Sequence, residues 1–154
     1  MIYLKSEKEI DKLRAAAQIV SRTLGELARH MEPGITTGKL DRVASDYISS
    51  QGAEPAFLGY GDPRNPFPAT LCISVNEEVV HGIPGERVLQ EGDIVSVDCG
   101  VCKDGYFGDH AFTFMIGEVS DEARELLRTT YESLYKGIAQ AVHGKRMGDL
   151  SNAI

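Results

Sequence analysis

Two aspartates in one β-rich stretch are the residues best placed to do chemistry. Asp98 closes the alternation Val95-Ser96-Val97, and Asp109 lies eleven positions further on, after Gly108. Between them stands Lys103-Asp104-Gly105, and an Asp-Gly pair separating two β-rich runs, residues 93–102 and 106–116, is a strong hairpin signal. If Asp104-Gly105 forms a two-residue turn, Lys103 faces Tyr106 and Asp109 falls opposite Gly100. Asp98 then sits two residues along on the same face. Diagonal neighbours on one face are about 7–8 Å apart at Cα, so their side chains can converge. Two carboxylates converging away from water repel unless a cation lies between them. Gly100, with no side chain, leaves room for that cation. A three-residue turn with a bulge would alter the register and undo the argument. Oxygen ligands of this kind suit Mn, Fe(II), Co or Zn better than Mg or Ca. The plain alternative is a pair of strand aspartates bonded to turn amides or to a lysine.

His81, in Val79-Val80-His81-Gly82-Ile83-Pro84, is the other polar candidate. It follows an apolar pair and precedes Gly and Pro in a loop entered from a strand, where a site role and a structural one are both open. The three cysteines, Cys72, Cys99 and Cys102, are too few and odd in number for a disulfide framework. Cys99-Gly-Val-Cys102 spells C-x-x-C, but strand residues three apart point to opposite faces, and no second pair completes a zinc site. There is no H-E-x-x-H, no Walker loop and no G-x-S-x-G.

The elements that must position these groups can be read from periodicity. Ser6 with Glu9 forms a capping box. Behind it Ile10, Leu13, Ala17, Val20, Leu24, Leu27 and Met31 make the stripe of a long amphipathic helix, stopped by Pro33-Gly34. A second helix starts at Thr37, carries Leu40, Val43, Ala44, Tyr47 and Ile48, and ends at Gly52. Residues 59–68 are dense in turn formers and read as a loop, followed by a strand over 71–75. Ser120 opens a third helix with Leu126, Leu127, Thr130, Leu134, Ile138 and Ala141 as its buried side, closed by Gly144. A further helical pattern over 147–154 stops with no cap, so residues 1–154 read as one domain apparently truncated at its C-terminus. Helices around antiparallel hairpins make the class α+β.

The 154 residues are 42% hydrophobic and 25% charged, which fits a globular chain. A net charge of −7 with scattered Lys and Arg argues against nucleic acid as the specific ligand. No apolar run reaches the ~20 residues a membrane span needs. The charged start, with no apolar signal core, makes the cytoplasm the expected compartment.

Several motifs in order are recognisable. Cys72-Ile73-Ser74-Val75-Asn76-Glu77, then Val80-His81-Gly82-Ile83-Pro84, closely resembles the signature of type I methionine aminopeptidases. So do Val97-Asp98, Lys103-Asp104-Gly105-Tyr106 and Gly108-Asp109. Pro33-Gly34-Ile35-Thr36-Thr37-Gly38-Lys39-Leu40-Asp41 is similar to the family's opening P-G-x-S/T-T-x-x-L-D. The resemblance covers essentially the whole chain. It implies half of a pita-bread fold, an antiparallel sheet with helices on one side, of which this chain is the N-terminal portion of the catalytic domain. The implied activity is metal-dependent removal of the N-terminal methionine from nascent proteins, by attack of metal-activated water on the first peptide bond. Asp98 would chelate one of two divalent ions (Co, Mn, Fe(II) or Zn) and Asp109 would bridge both. One histidine and two glutamates would come from the C-terminal half, so this chain alone is expected to be inactive.

By the same resemblance the catalytic and substrate-binding role at the scissile peptide falls to His81. Tyr60, Phe67 and Cys72 would wall the methionine pocket, with Phe57 at a wall position that can be cysteine in relatives. The Asn76 carbonyl would support a monovalent cation. The implied partners are the N-terminal methionine of nascent peptides, the ribosome near its exit tunnel, and the C-terminal half of the fold. Three departures stand out: a longer loop at Asp62-Pro63-Arg64-Asn65-Pro66, His110 in place of a small hydroxyl residue, and a missing proline near His143-Gly144. His110, as strand neighbour of Asp109, faces away and is not counted as a ligand. The rival readings are a non-catalytic pita-bread module that binds peptide or protein, and an aminopeptidase P or prolidase half. Retention of Asp98, Asp109 and His81 argues against the first, and the signature over residues 72–84 against the second.

Overall fold

The computed structural model describes residues 3–154. The chain forms two compact units, Met1–Glu118 and Val119–Ile154.

In the first unit α1 spans Glu7–Leu27. The Glu9 carboxylate accepts from the Ser6 backbone N–H and hydroxyl, both at 2.8 Å, which holds the helix start. Val20, Leu24 and Leu27 are buried as the stripe predicts, but Ala16 takes the inward place expected of Ala17, and Ile19 and Thr23 join it. The reason lies in the sheet. A Cβ on Gly108 would come within 2.5 Å of the Ala17 nitrogen, so the helix backbone itself rests on that glycine. Close approach at Gly108 sets the rotation of the helix about its axis.

Helix α2, Thr37–Ser50, buries Leu40, Ala44 and Ile48 as expected. Glu54–Pro55 (β1) follows. Residues 59–68 contain a small ladder that their composition conceals: Gly61–Asp62 (β2) pairs with Asn65–Pro66 (β3). The Asp62 side chain closes the turn by accepting from the Arg64 backbone N–H at 3.0 Å and from its guanidinium at 2.7 Å. Three longer strands complete the unit: β4, Leu71–Val75; β5, Ile94–Lys103; and β6, Tyr106–Met115. All pairings are antiparallel. β5 is central, with β6 along one edge and β4 and β1 in succession along the other.

Alternation then separates two faces. Leu71, Ile73, Val75, Val95, Val97, Cys99 and Val101 enter one core with Ile19, Val20, Leu24 and Leu27 of α1 and Leu40, Ala44 and Ile48 of α2. Fully buried Leu27, Leu40, Leu71 and Val97 each contribute roughly 1.5–3 kcal/mol. Both α-helices of this unit therefore cover the same side of the sheet, as expected. The opposite face carries Cys72, Ser74, Ser96, Asp98, Gly100, Asp109 and Thr113.

Asp41 of α2 fixes where β4 begins. Its Oδ1 accepts from the backbone N–H of Thr70 at 3.0 Å and of Leu71 at 2.8 Å. Burial pushes its pKa above the ordinary aspartate range, and the two amides pull only partly back. A raised folded pKa means its contribution to stability is full below the unfolded pKa and is lost as pH rises through the folded value. Asp41→Asn keeps an acceptor and removes the buried charge, so its melting temperature should exceed the parent's at pH 7 and the gap should close in acid. Asp41→Ala, which strands both amides, should cost about 1–3 kcal/mol in urea melts.

In the second unit Ser120 caps α3, Asp121–Gln140, by accepting from the Ala123 N–H at 3.2 Å. The helix ends before Gly144, which instead occupies the turn (φ 87°) leading to α4, Met147–Ala153. The buried side expected for α3 is not buried: Leu126, Leu134 and Ile138 are all more than half exposed, and Gly137 alone is buried. The seven-residue α4 is the other helix of this unit, and it is too short to cover a stripe running the length of α3. No helix among the described residues is long and apolar enough to cross a membrane.

Candidate metal and substrate site

The polar face of the sheet is organised by the β5–β6 turn. Asp104 (φ 51°) and Gly105 (φ 79°) both adopt the left-handed backbone of a tight two-residue hairpin turn. Lys103 pairs with Tyr106, Gly100 with Asp109, and Asp98 with Ala111. The expected register holds, and the two aspartates share a face two positions apart.

Their electrostatics follow. Burial pushes the Asp98 pKa up, the Asp109 charge pushes it further, and the Cys99 N–H pulls it back. His81 and, last and least, His110 also favour the charged form. Among the described residues, the Asp98 Oδ1 is the buried side-chain polar atom with no hydrogen-bond partner. An unpaired carboxylate oxygen beside a second carboxylate is costly unless a cation satisfies both. The pair therefore fits divalent metal, but only as part of a ligand set, since no group of three or more His, Cys, Asp or Glu among the described residues could hold an ion.

Gly100 has a different use from the one the sequence suggests. A Cβ there would meet the Phe57 ring at 2.5 Å. The ring, rather than open space for an ion, takes the volume that the glycine frees. Gly100 lies where β4 ends and β1 begins, and its carbonyl accepts from the Ala56 N–H at 2.9 Å, which brings Phe57 over it. Phe57 is tied in turn to the 59–68 hairpin. Its carbonyl accepts from Tyr60 N–H (2.9 Å), the Tyr60 carbonyl accepts from Phe67 N–H (2.8 Å), and the Phe67 carbonyl accepts from Gly59 N–H (2.9 Å). Phe57 and Phe67 are half-buried, whereas Tyr60 is 76% exposed.

Cys72 pairs directly with Asp98 across β4 and β5. Burial, with the charges of Asp98, Asp109 and Asp41, pushes its thiol up to about 11. It is protonated and weakly polar at neutral pH and no nucleophile. Cys99 and Cys102 project to opposite faces and all three thiols are free; Cys99, buried in the core, is pushed up to about 12. His110 pairs with Cys99 on the helix side, lining a groove of about 250 Å³ with Leu24, Phe112 and Phe114.

His81 stands on an exposed loop with φ 59°, a left-handed conformation that non-glycine residues avoid. Asn76, also left-handed (φ 56°), is laced to the start of β5: its Oδ1 accepts from Ile94 N–H at 3.0 Å and its Nδ2 donates to Asp93 at 2.8 Å. The place of Phe57 over Gly100 and the inward turn of Asp41 were not read from sequence. The latter had a signal, a carboxylate beside Leu40 on the buried stripe of α2.

Residues 11–154 match Metallopeptidase family M24. The chain belongs to this family. Over its full length this M24 chain is 51% identical to a methionine aminopeptidase of Clostridium acetobutylicum, covering 60% of that protein. It superposes on the crystal structure of methionine aminopeptidase from Rickettsia prowazekii with a TM-score of 0.93 at 36% identity, over 99% of this chain and 60% of that one. The prolidase from Pyrococcus furiosus shares the fold alone, with a TM-score of 0.84 at 18% identity. The M24 chain thus has the α+β architecture of part of a pita-bread fold and spans about 60% of the length of the curated relatives it matches. Membership of a metallopeptidase family implies divalent metal use.

Proposed function

We propose that the whole protein is a cytoplasmic methionine aminopeptidase that releases the N-terminal methionine of nascent proteins, with residues 1–154 as the N-terminal portion of its catalytic domain. The observation that carries this reading is the buried, unpartnered Asp98 Oδ1 beside Asp109 on one sheet face. The relatives' names supply the substrate. Asp98 and Asp109 would hold two divalent ions, of Co, Mn, Fe(II) or Zn, together with ligands from the C-terminal half. Such ions, when bound, polarise a peptide carbonyl and lower the pKa of water toward neutrality. The Asn76 carbonyl would hold a monovalent cation.

The chain's own side chains do the rest. The His81 imidazole donates a hydrogen bond to the carbonyl oxygen of the scissile peptide, where negative charge develops. Phe57, Phe67, the protonated Cys72 and the rim residue Tyr60 form a dry cleft for an unbranched thioether side chain. Contact with the ribosome would deliver the nascent chain. The general base is assigned to the C-terminal half.

The test is a peptide series. The metal-loaded whole protein should release methionine from Met-Ala-Ser and Met-Gly-Ser peptides at least about 100-fold faster than leucine from Leu-Ala-Ser, since a branched side chain misfits the cleft. Equal rates would overturn the assignment. Cleavage confined to bonds before proline would favour a prolidase instead.

A further inference from the structure

The opening motif, Pro33 to Asp41, lies far in sequence from His81, yet its hydrogen bonds lead to the His81 loop. Residues 85–89 run alongside residues 34–38. Gly34 N–H donates to the Leu89 carbonyl (2.8 Å), Leu89 N–H to Ile35 (2.8 Å), Thr37 N–H to Arg87 (3.0 Å) and Gly38 N–H to Gly85 (2.8 Å). One side chain joins this backbone ladder. The hydroxyl of Thr37, a residue only 3% exposed, accepts from the Gly85 N–H at 2.9 Å and donates to the Gly85 carbonyl at 3.2 Å. On the other side of the loop, Gly82 N–H donates to the buried Ser74 Oγ at 3.1 Å, and the Gly82 carbonyl accepts from Ile73 N–H at 2.9 Å. Neither anchor leaves slack. A Cβ on Gly82 would lie 2.1 Å from the Ile73 oxygen, and one on Gly38 would lie 2.9 Å from the Gly85 oxygen.

His81 therefore immediately precedes a four-residue span clamped at both ends, in a backbone conformation that persists only where its surroundings over-determine it. We infer that Thr37 is a positioning residue for His81: its hydroxyl holds Gly85 so that the imidazole is presented to the Asp98–Asp109 face. The inference rests on the role proposed above for His81. It gives the opening motif a function, since Thr37 offers the loop a donor and an acceptor at once, from the first residue of a helix packed into the core. Valine, with the same shape, would offer neither.

The experiment is a double-mutant cycle in the metal-loaded whole protein, with kcat and KM measured on Met-Ala-Ser for wild type, Thr37→Val, Thr37→Ser, His81→Ala and the Thr37→Val/His81→Ala double variant. Thr37→Val should lower kcat by about tenfold to a hundredfold, the range expected when a reacting group is misplaced by about an ångström, with KM changed less than about threefold. Thr37→Ser should restore kcat. In the His81→Ala background Thr37→Val should change kcat by less than about twofold, because the group it positions is gone. Thr37→Ala, judged by the same criteria, replaces Thr37→Val if that variant does not fold. An undiminished kcat in Thr37→Val, failure of Ser to rescue, or an equal loss in the His81→Ala background would overturn the inference while leaving the activity standing. Absence of methionine release by the wild-type protein would overturn the functional reading and this inference together.

Discussion

Asp98→Asn and Asp109→Asn, each made in the whole protein, should lower metal-dependent methionine release by about three orders of magnitude or more. The ions are asked to supply several kcal/mol of transition-state charge stabilisation, and each 1.36 kcal/mol is about a factor of ten in rate. Asparagine keeps the size of aspartate but offers a neutral oxygen that binds a divalent ion poorly. The same substitutions should have an opposite effect on the metal-free fold. Asp98 is half-buried beside a like charge, with its buried Oδ1 unpartnered. Asp98→Asn removes both the burial penalty on the charge and the repulsion, so the metal-free protein should melt higher than the parent. A residue that lowers stability while present and abolishes activity when replaced is retained for function. Calorimetric titration with Mn(II) or Co(II) and melts with and without metal would measure both effects. Metal affinity and turnover close to wild type in Asp98→Asn would exclude the carboxylate pair as ligands.

For His81→Ala the expected loss is about 10²–10³ in kcat, the usual cost of deleting one donor to a developing oxyanion. KM and metal affinity should change little, because the imidazole is assigned to the substrate and not to an ion. His81→Gly supplies the control. At φ 59° glycine pays no steric penalty, so this variant should fold at least as stably as the parent and lose as much activity as His81→Ala. A kcat reduced less than about fivefold in both variants would remove His81 from the reaction. If KM rose with kcat unchanged, its part would be substrate binding rather than transition-state stabilisation.

Both predictions depend on geometry that was unequally legible in the chain. The placement of Asp98 and Asp109 was readable because it is local. Asp104-Gly105 selects a two-residue turn, and the two-residue period of a strand then assigns every side chain of the hairpin to a face. The helix starts at Ser6 and Ser120 were readable for the same reason, since a cap and its helix lie within four residues of each other.

Contacts between distant segments were not readable. Which alanine of α1 faces inward was settled by Gly108, about 90 residues away in β6, where the helix backbone meets the strand. The stripe of α3 is as regular as those of α1 and α2, yet it stays exposed, because amphipathicity records only that a face could be buried and not what covers it. The space beside Asp109 appeared open from Gly100 alone; the ring that enters it belongs to Phe57, on the far side of β4 in sequence. Types, turns and alternation thus determined which carboxylates share a face. Close packing among segments remote in sequence decided what stands around them, because local periodicity carries no term for the atoms that another part of the chain brings into contact.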